Sequence, residues 1–111
     1  MAKVFVSLPM NGRKHDEIVE EQKALVKKVS AKIGIDLEMI DSCISENVEN
    51  LKPLECLGKS LEILAKADCV IFGKGWENAR GCRIERLCAE QYGISILEVD
   101  VLEDKEVEVS D

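Results

Sequence analysis

The stretch from Ala67 to Leu97, ADCVIFGKGWENARGCRIERLCAEQYGISIL, constrains the fold more than any other part of the chain. Asp68 opens an apolar run, Cys69–Phe72, with no polar residue at alternate positions. A strand covered on both faces has that pattern. Gly73 and Gly75 follow, in a loop that also holds Trp76, the one tryptophan. A helix is predicted to start at Arg80 and to end at Gly93. Ile94 to Val99 is predicted to form the next strand. Strand, loop, helix and strand in that order form a crossover unit joining two parallel strands.

The same alternation runs through the first half. Lys3 to Leu8 is a β-branched and aromatic run, stopped by Pro9. Residues Met10, Asn11, Gly12 and Arg13 carry turn chemistry. From Lys14 to Ile33 the residues Ile18, Gln22, Leu25, Val26, Val29 and Ile33 fall on one helical face, and Gly34 closes the helix. Ile35 to Ile40 alternates and reads as a strand, with Asp41 at its carboxyl end. Pro53 suits a first helical position. Leu54, Leu57, Leu61 and Leu64 then make the stripe of a helix ending near Ala67. In the helix after Arg80, the spacing turns Ile84, Leu87, Cys88 and Tyr92 inward. Four strands alternating with three helices predict a single doubly wound α/β sheet, flavodoxin- or Rossmann-like, parallel and in the order 2-1-3-4. Ligands of such sheets bind outside the carboxyl ends of the strands. There the loops Ser7–Lys14 and Gly73–Arg80 meet.

Charge divides the chain unevenly. Of a formal −7, the stretch from Glu98 to Asp111 carries seven acids against one lysine, −6, which leaves the rest near neutral at −1. Residues 1–100 are expected to form the domain and residues 101–111 a mobile acidic tail. Without a basic face, nucleic-acid binding is not expected. The five cysteines include no CxxC pair, so reduced thiols in a reducing compartment are expected, with no metal or redox cofactor. No secretory signal pattern and no membrane-spanning apolar run is read, and a soluble cytoplasmic protein is expected. Neither GxGxxG nor GxxxxGK[ST] occurs, which removes support for the dinucleotide and P-loop readings.

Glu85 falls one turn inside its helix, near the strand ends. A carboxylate there can be partly buried and still reach a ligand, and when ionised it can attack an electrophilic carbon. The alternative is a surface glutamate paired with neighbouring arginines. Arg13, Lys14, Lys74, Arg80 and Arg83 could hold a phosphate near two helix amino ends, or they are ordinary solvated charges. Trp76 is a stacking surface for a base, or else a loop anchor or a subunit contact. Ser7 is a ligand contact or a satisfied strand-end hydroxyl, and Asp41 lines the crevice or merely ends its strand.

The succession VFVSLPMNGR, GKSLEILAKADCVIF and GWENARGCRIERLCAEQYGI resembles the nucleoside 2-deoxyribosyltransferase superfamily, from Lys3 to about Val99. The likeness is to a small phage and bacterial branch, related to the deoxynucleoside 5′-monophosphate N-hydrolases. Its most specific part is an aliphatic "AD" strand, a loop, and Gly-x-x-x-Glu on a helix. The resemblance implies Gly81 and Glu85 as the glycine and the nucleophilic glutamate, with Ala89 near a small helix residue. It implies Asp68 as a structural acid. Ser7, Pro9, Met10, Asn11, Gly12 and Arg13 match the first ligand-binding loop, and Gly75, Trp76 and Arg80 belong to the second. Ser60 stands where characterised members carry an aspartate. The resemblance thus implies cleavage or transfer of the N-glycosidic bond of a deoxyribonucleoside or its 5′-monophosphate, in a homo-oligomer, without cofactor. The alternative is a non-catalytic nucleotide or nucleotide-signal binding or sequestering protein, phage-encoded among the options.

Overall fold

The computed structural model describes residues 1–9, 12–40 and 52–98. Four strands, β1 (Ala2–Ser7), β2 (Leu37–Met39), β3 (Cys69–Phe72) and β4 (Ser95–Glu98), form one sheet in the order β2-β1-β3-β4. All three pairings are parallel, and Ser7 lies opposite Phe72 at the carboxyl ends of β1 and β3. Helices α1 (His15–Ile33), α2 (Pro53–Leu64) and α3 (Arg80–Gln91) connect them, and a single 3-10 turn, Trp76–Asn78, interrupts the loop before α3. The doubly wound order expected from the sequence is the order observed. Asp41, Met10, Asn11 and the acidic tail lie outside the described residues.

The alternation of side chains along β1 builds both layers of the core. Val4, Val6 and Leu8 pack with Cys69 and Ile71 of β3 against Ile18 and Val29 of α1. Phe5 faces the other way, with Val70 and Phe72, onto Leu64 of α2 and Cys82 and Ala89 of α3. A period of two therefore sends Ser7, two residues after Phe5, to the α3 side. Asp68 serves the sheet: it accepts the Lys3 N–H through Oδ2 at 2.7 Å, and its own N–H donates to the Lys3 carbonyl at 2.8 Å. Gly34 ends α1 in the left-handed region at φ 71°, with its N–H on the Ser30 carbonyl.

Four expectations about packing and element bounds are corrected. The inward face of α3 is Cys82, Glu85 and Ala89, whereas Leu87 and Tyr92 are 56% and 83% exposed. That face brings the small Cys82 and Ala89 against Phe5, Val70 and Phe72 of the sheet, and Leu87 and Tyr92 then fall on the far side. Leu54, in the first turn of α2, is likewise exposed. Strand β2 is only Leu37–Met39, and α2 stops at Leu64 rather than near Ala67. Among the described residues no helix is long and apolar enough to cross a membrane.

Gly73 marks where the two loops press together. A Cβ built there would fall 2.0 Å from Leu8 Cδ2 and 3.6 Å from Leu25 Cδ1. Leu8 is itself buried in the α1 layer and has little room to turn. Gly73→Ala is therefore expected to destabilise the fold by about 1–3 kcal/mol in urea unfolding, as overpacking does. Gly58, exposed in α2 with nothing within 4 Å of its Cβ position, is the control: Gly58→Ala should stabilise by about 0.5–1 kcal/mol.

Candidate functional site

At the carboxyl end of β1, Ser7 is 2% exposed and Glu85, above it in α3, is 7% exposed. The Ser7 hydroxyl donates to Glu85 Oε1 at 2.5 Å, across 78 residues of sequence. A short hydroxyl-to-carboxyl bond in a dry place is of the stronger kind. Burial pushes the Glu85 carboxyl up to about 7, and the Ser7 hydrogen bond holds it back down. Near neutrality the group is therefore divided between its two protonation states. Cys82, one turn earlier on the same face, is 4% exposed. Burial raises its thiol above the usual range.

The two loops make the walls. Gly75 takes φ 85°, and a Cβ there would touch Pro9 Cγ at 3.7 Å, so the loop after β1 and the loop after β3 abut. Trp76 is tilted 54° to Phe72, with ring centroids 5.7 Å apart. The Arg86 guanidinium lies 4.4 Å from the Trp76 ring centroid and 5.7 Å from that of Phe72, while its Nε donates to Glu90 Oε1 at 3.1 Å. One face of the indole is thus covered by protein, and Trp76 anchors its loop to α3 through a cation–π contact.

The basic residues are dispersed. Arg13 donates to the Pro9 carbonyl at 3.1 Å and pairs with Glu21, so it braces the first loop. Arg83 Nη1 reaches the Glu77 carbonyl at 3.5 Å. Lys14 and Arg80 are exposed, Gly81 is half-buried in the first turn of α3, and Gly12 is exposed with φ 70°. Ser60 is half-buried on α2, and the Glu85 carboxyl bonds Ser7 instead of it. Among the described residues no group of three or more His, Cys, Asp or Glu could hold a metal ion. The described cysteines, Cys56, Cys69, Cys82 and Cys88, are free thiols.

The sequence reading brought Ser7 and Glu85 to one crevice but missed Cys82 and Arg86. Cys82, Glu85 and Ala89 do stand at helical spacing, three and four apart. With a carboxylate in the middle they do not read as an apolar stripe. Arg86 offered no signal, because its partner Trp76 lies outside the helix. Comparison with family models, with curated proteins and with solved structures finds no match to this chain.

Keeping Glu85 buried has a thermodynamic consequence. Its carboxyl titrates near 7 in the folded state and near 4.5 when unperturbed. The folded state therefore binds the proton more tightly. The stabilisation this brings is complete below pH 4.5 and is lost as pH rises through 7. The difference between the two values corresponds to about 3 kcal/mol. Glu85→Gln should be similar to wild type at pH 4 and increasingly more stable above it. The gap should level off near pH 8 at about 2–3 kcal/mol. Urea unfolding across that range measures it. A constant gap would mean that Glu85 is not buried in its charged form.

Proposed function

We propose that the chain binds a deoxyribonucleoside or its 5′-monophosphate and breaks the N-glycosidic bond, with Glu85 as the nucleophile. The observation that carries this is the buried Glu85 carboxyl held by Ser7 at 2.5 Å, at the carboxyl ends of β1 and β3. A nucleophile needs a fixed direction and a thin hydration shell, and these two side chains supply both. The resemblance of Gly81-x-x-x-Glu85 and of the Ser7–Arg13 loop to the deoxyribosyltransferase superfamily adds the substrate class.

In this mechanism a Glu85 oxygen attacks C1′ as the C1′–N bond breaks. The base departs with the bonding pair and takes up a proton. The sugar is left as an ester of Glu85. Water, or a second base, then attacks C1′ and restores the carboxylate. This is the two-step course of retaining glycosidases. The Ser7 hydroxyl keeps Glu85 aimed and favours its ionised form. Exposed Arg80 and Lys14, at the amino ends of α3 and α1, favour a 5′-phosphate. Arg13 would have to leave Glu21 to join them. An assembly of copies is part of the proposal, since Leu54, Leu87 and Tyr92 leave apolar surface on α2 and α3; light scattering tests it.

A second reading is a nucleotide receptor without turnover. Ser60, in place of the superfamily's aspartate, favours it, since Glu85 then stands without a second carboxylate from α2.

Incubation with a panel of deoxynucleosides and deoxynucleotides, followed by chromatography for free base, separates the two. The enzyme reading expects base release with kcat/KM rising with pH through about 7, because the nucleophile must lose its proton. Glu85→Gln should lower release by about three orders of magnitude or more while ligand binding persists, as loss of a nucleophile does. Tight binding with no base from any substrate would select the receptor.

A further inference from the structure

The outer side of β2 lies away from Ser7 and Glu85. There α1 and β2 enclose a groove of about 560 Å3. Half-buried Val26, Leu37 and Met39 line it, together with exposed Lys23, Lys27 and Asp36. β2 is the end strand of the sheet, and among the described residues no strand pairs with its outer edge. The Asp36 carbonyl accepts from the Ala2 N–H, and the Ile40 N–H donates to the Val4 carbonyl. The even-numbered residues thus turn their backbone groups to β1, and those of Leu37 and Met39 point to the outer edge. Such groups beside apolar surface are a template for an extended segment.

Charge selects the segment. α1 is acidic at its start, with Asp16, Glu17, Glu20 and Glu21, and then basic, with Lys23, Lys27, Lys28 and Lys32. With Asp36 and Glu38 included, residues 22–39 still carry +2. Among the described residues no acid pairs with Lys23 or Lys27. Residues 99–111, VDVLEDKEVEVSD, follow β4 and carry six acids against one lysine. From Glu106 to Val109 acid and valine alternate, the pattern of a strand with one apolar side. Length permits the contact. β2 lies three strand spacings from β4, about 14 Å, whereas thirteen extended residues span up to about 43 Å.

We propose that residues 106–111 of this same chain occupy the groove between α1 and β2 as an extended segment. In this arrangement Val107 and Val109 pack on Val26, Leu37 and Met39, while Glu106 and Glu108, on the opposite side of the segment, meet Lys23 and Lys27. A lysine can lie along apolar surface and still carry its charge to the open side, so both sides of the segment are met at once. The backbone of the segment pairs with the outward groups of Leu37 and Met39. The edge of β2 is thereby closed to strands of other chains. This docking needs no substrate and is independent of the catalytic reading.

Two measurements on the full chain test it. A zero-length carbodiimide couples a lysine amine only to a carboxylate it touches. Mass spectrometry of an equal mixture of isotope-labelled and unlabelled protein should find Lys23 or Lys27 joined to Glu106 or Glu108 within one chain. NMR should show contacts from the Val107 and Val109 methyl groups to Leu37 and Met39. Lys23 and Lys27 are exposed, so their replacement leaves the core intact. Lys23→Glu with Lys27→Glu should lower the ratio of docked to undocked segment by about fivefold to thirtyfold, as loss of two exposed ion pairs does. Adding Glu106→Lys and Glu108→Lys to that protein should restore it. Coupling of the segment chiefly to Lys14 or Lys74 would place it at the crevice and overturn the proposal. Coupling chiefly between labelled and unlabelled chains would give the groove to a second copy and do the same. So would valine methyl groups that show no contact with β2, or a docked fraction that ignores both charge reversals.

Discussion

One hydrogen bond, from the Ser7 hydroxyl to the Glu85 carboxyl, joins the last residue of the first strand to a helix 78 residues later. The rest of the fold can be understood as what brings that bond about. β1 must be central, so that its odd-numbered side chains Phe5 and Ser7 face the layer built by α2 and α3. β3 must lie beside it in register, so that the loop carrying Trp76 emerges next to Ser7. α3 must approach closely enough to bury a carboxylate, and it does so along its small side chains, Cys82 and Ala89.

The burial of Glu85 is a liability to the fold. Desolvation outweighs the single hydrogen bond it receives, so the carboxyl sits near 7 rather than in the ordinary carboxylate range. Such a group takes stability from the fold whenever it ionises. Perturbed groups of this kind gather where chemistry is done, because the same dry, directed environment that penalises the charge makes it reactive. Around it the two loops are held by contacts of their own. Arg86 clamps Trp76 and Phe72, Arg13 braces the first loop against Glu21, and Gly75 lets the second loop rest on Pro9.

Strand order was legible because each strand is a short apolar run bounded by glycine, proline or acid, and crossover rules leave few ways to connect four of them. The meeting of the two loops beyond the carboxyl ends of β1 and β3 was legible for the same reason. The face of α3 was not. A reading by hydropathy prefers Leu87 and Tyr92 to Glu85, yet the buried stripe is Cys82, Glu85 and Ala89, small residues with one polar member among them. Arg13, Trp76 and Arg86 show a second limit. Spacing along the chain placed Arg13 and Trp76 near a ligand, but their contacts are with Glu21 and Arg86, partners that no local pattern announces.

The central claim is that Glu85 attacks the sugar. A deoxynucleoside carrying fluorine at C2′ tests it most directly. The fluorine withdraws electrons from C1′ and slows hydrolysis of a sugar–enzyme ester, so the intermediate accumulates. Intact-protein mass spectrometry, followed by peptide mapping, should find one fluorosugar per chain, attached within the peptide holding Glu85 and absent from Glu85→Gln. Base release without any adduct, or an adduct on another residue, would contradict the account.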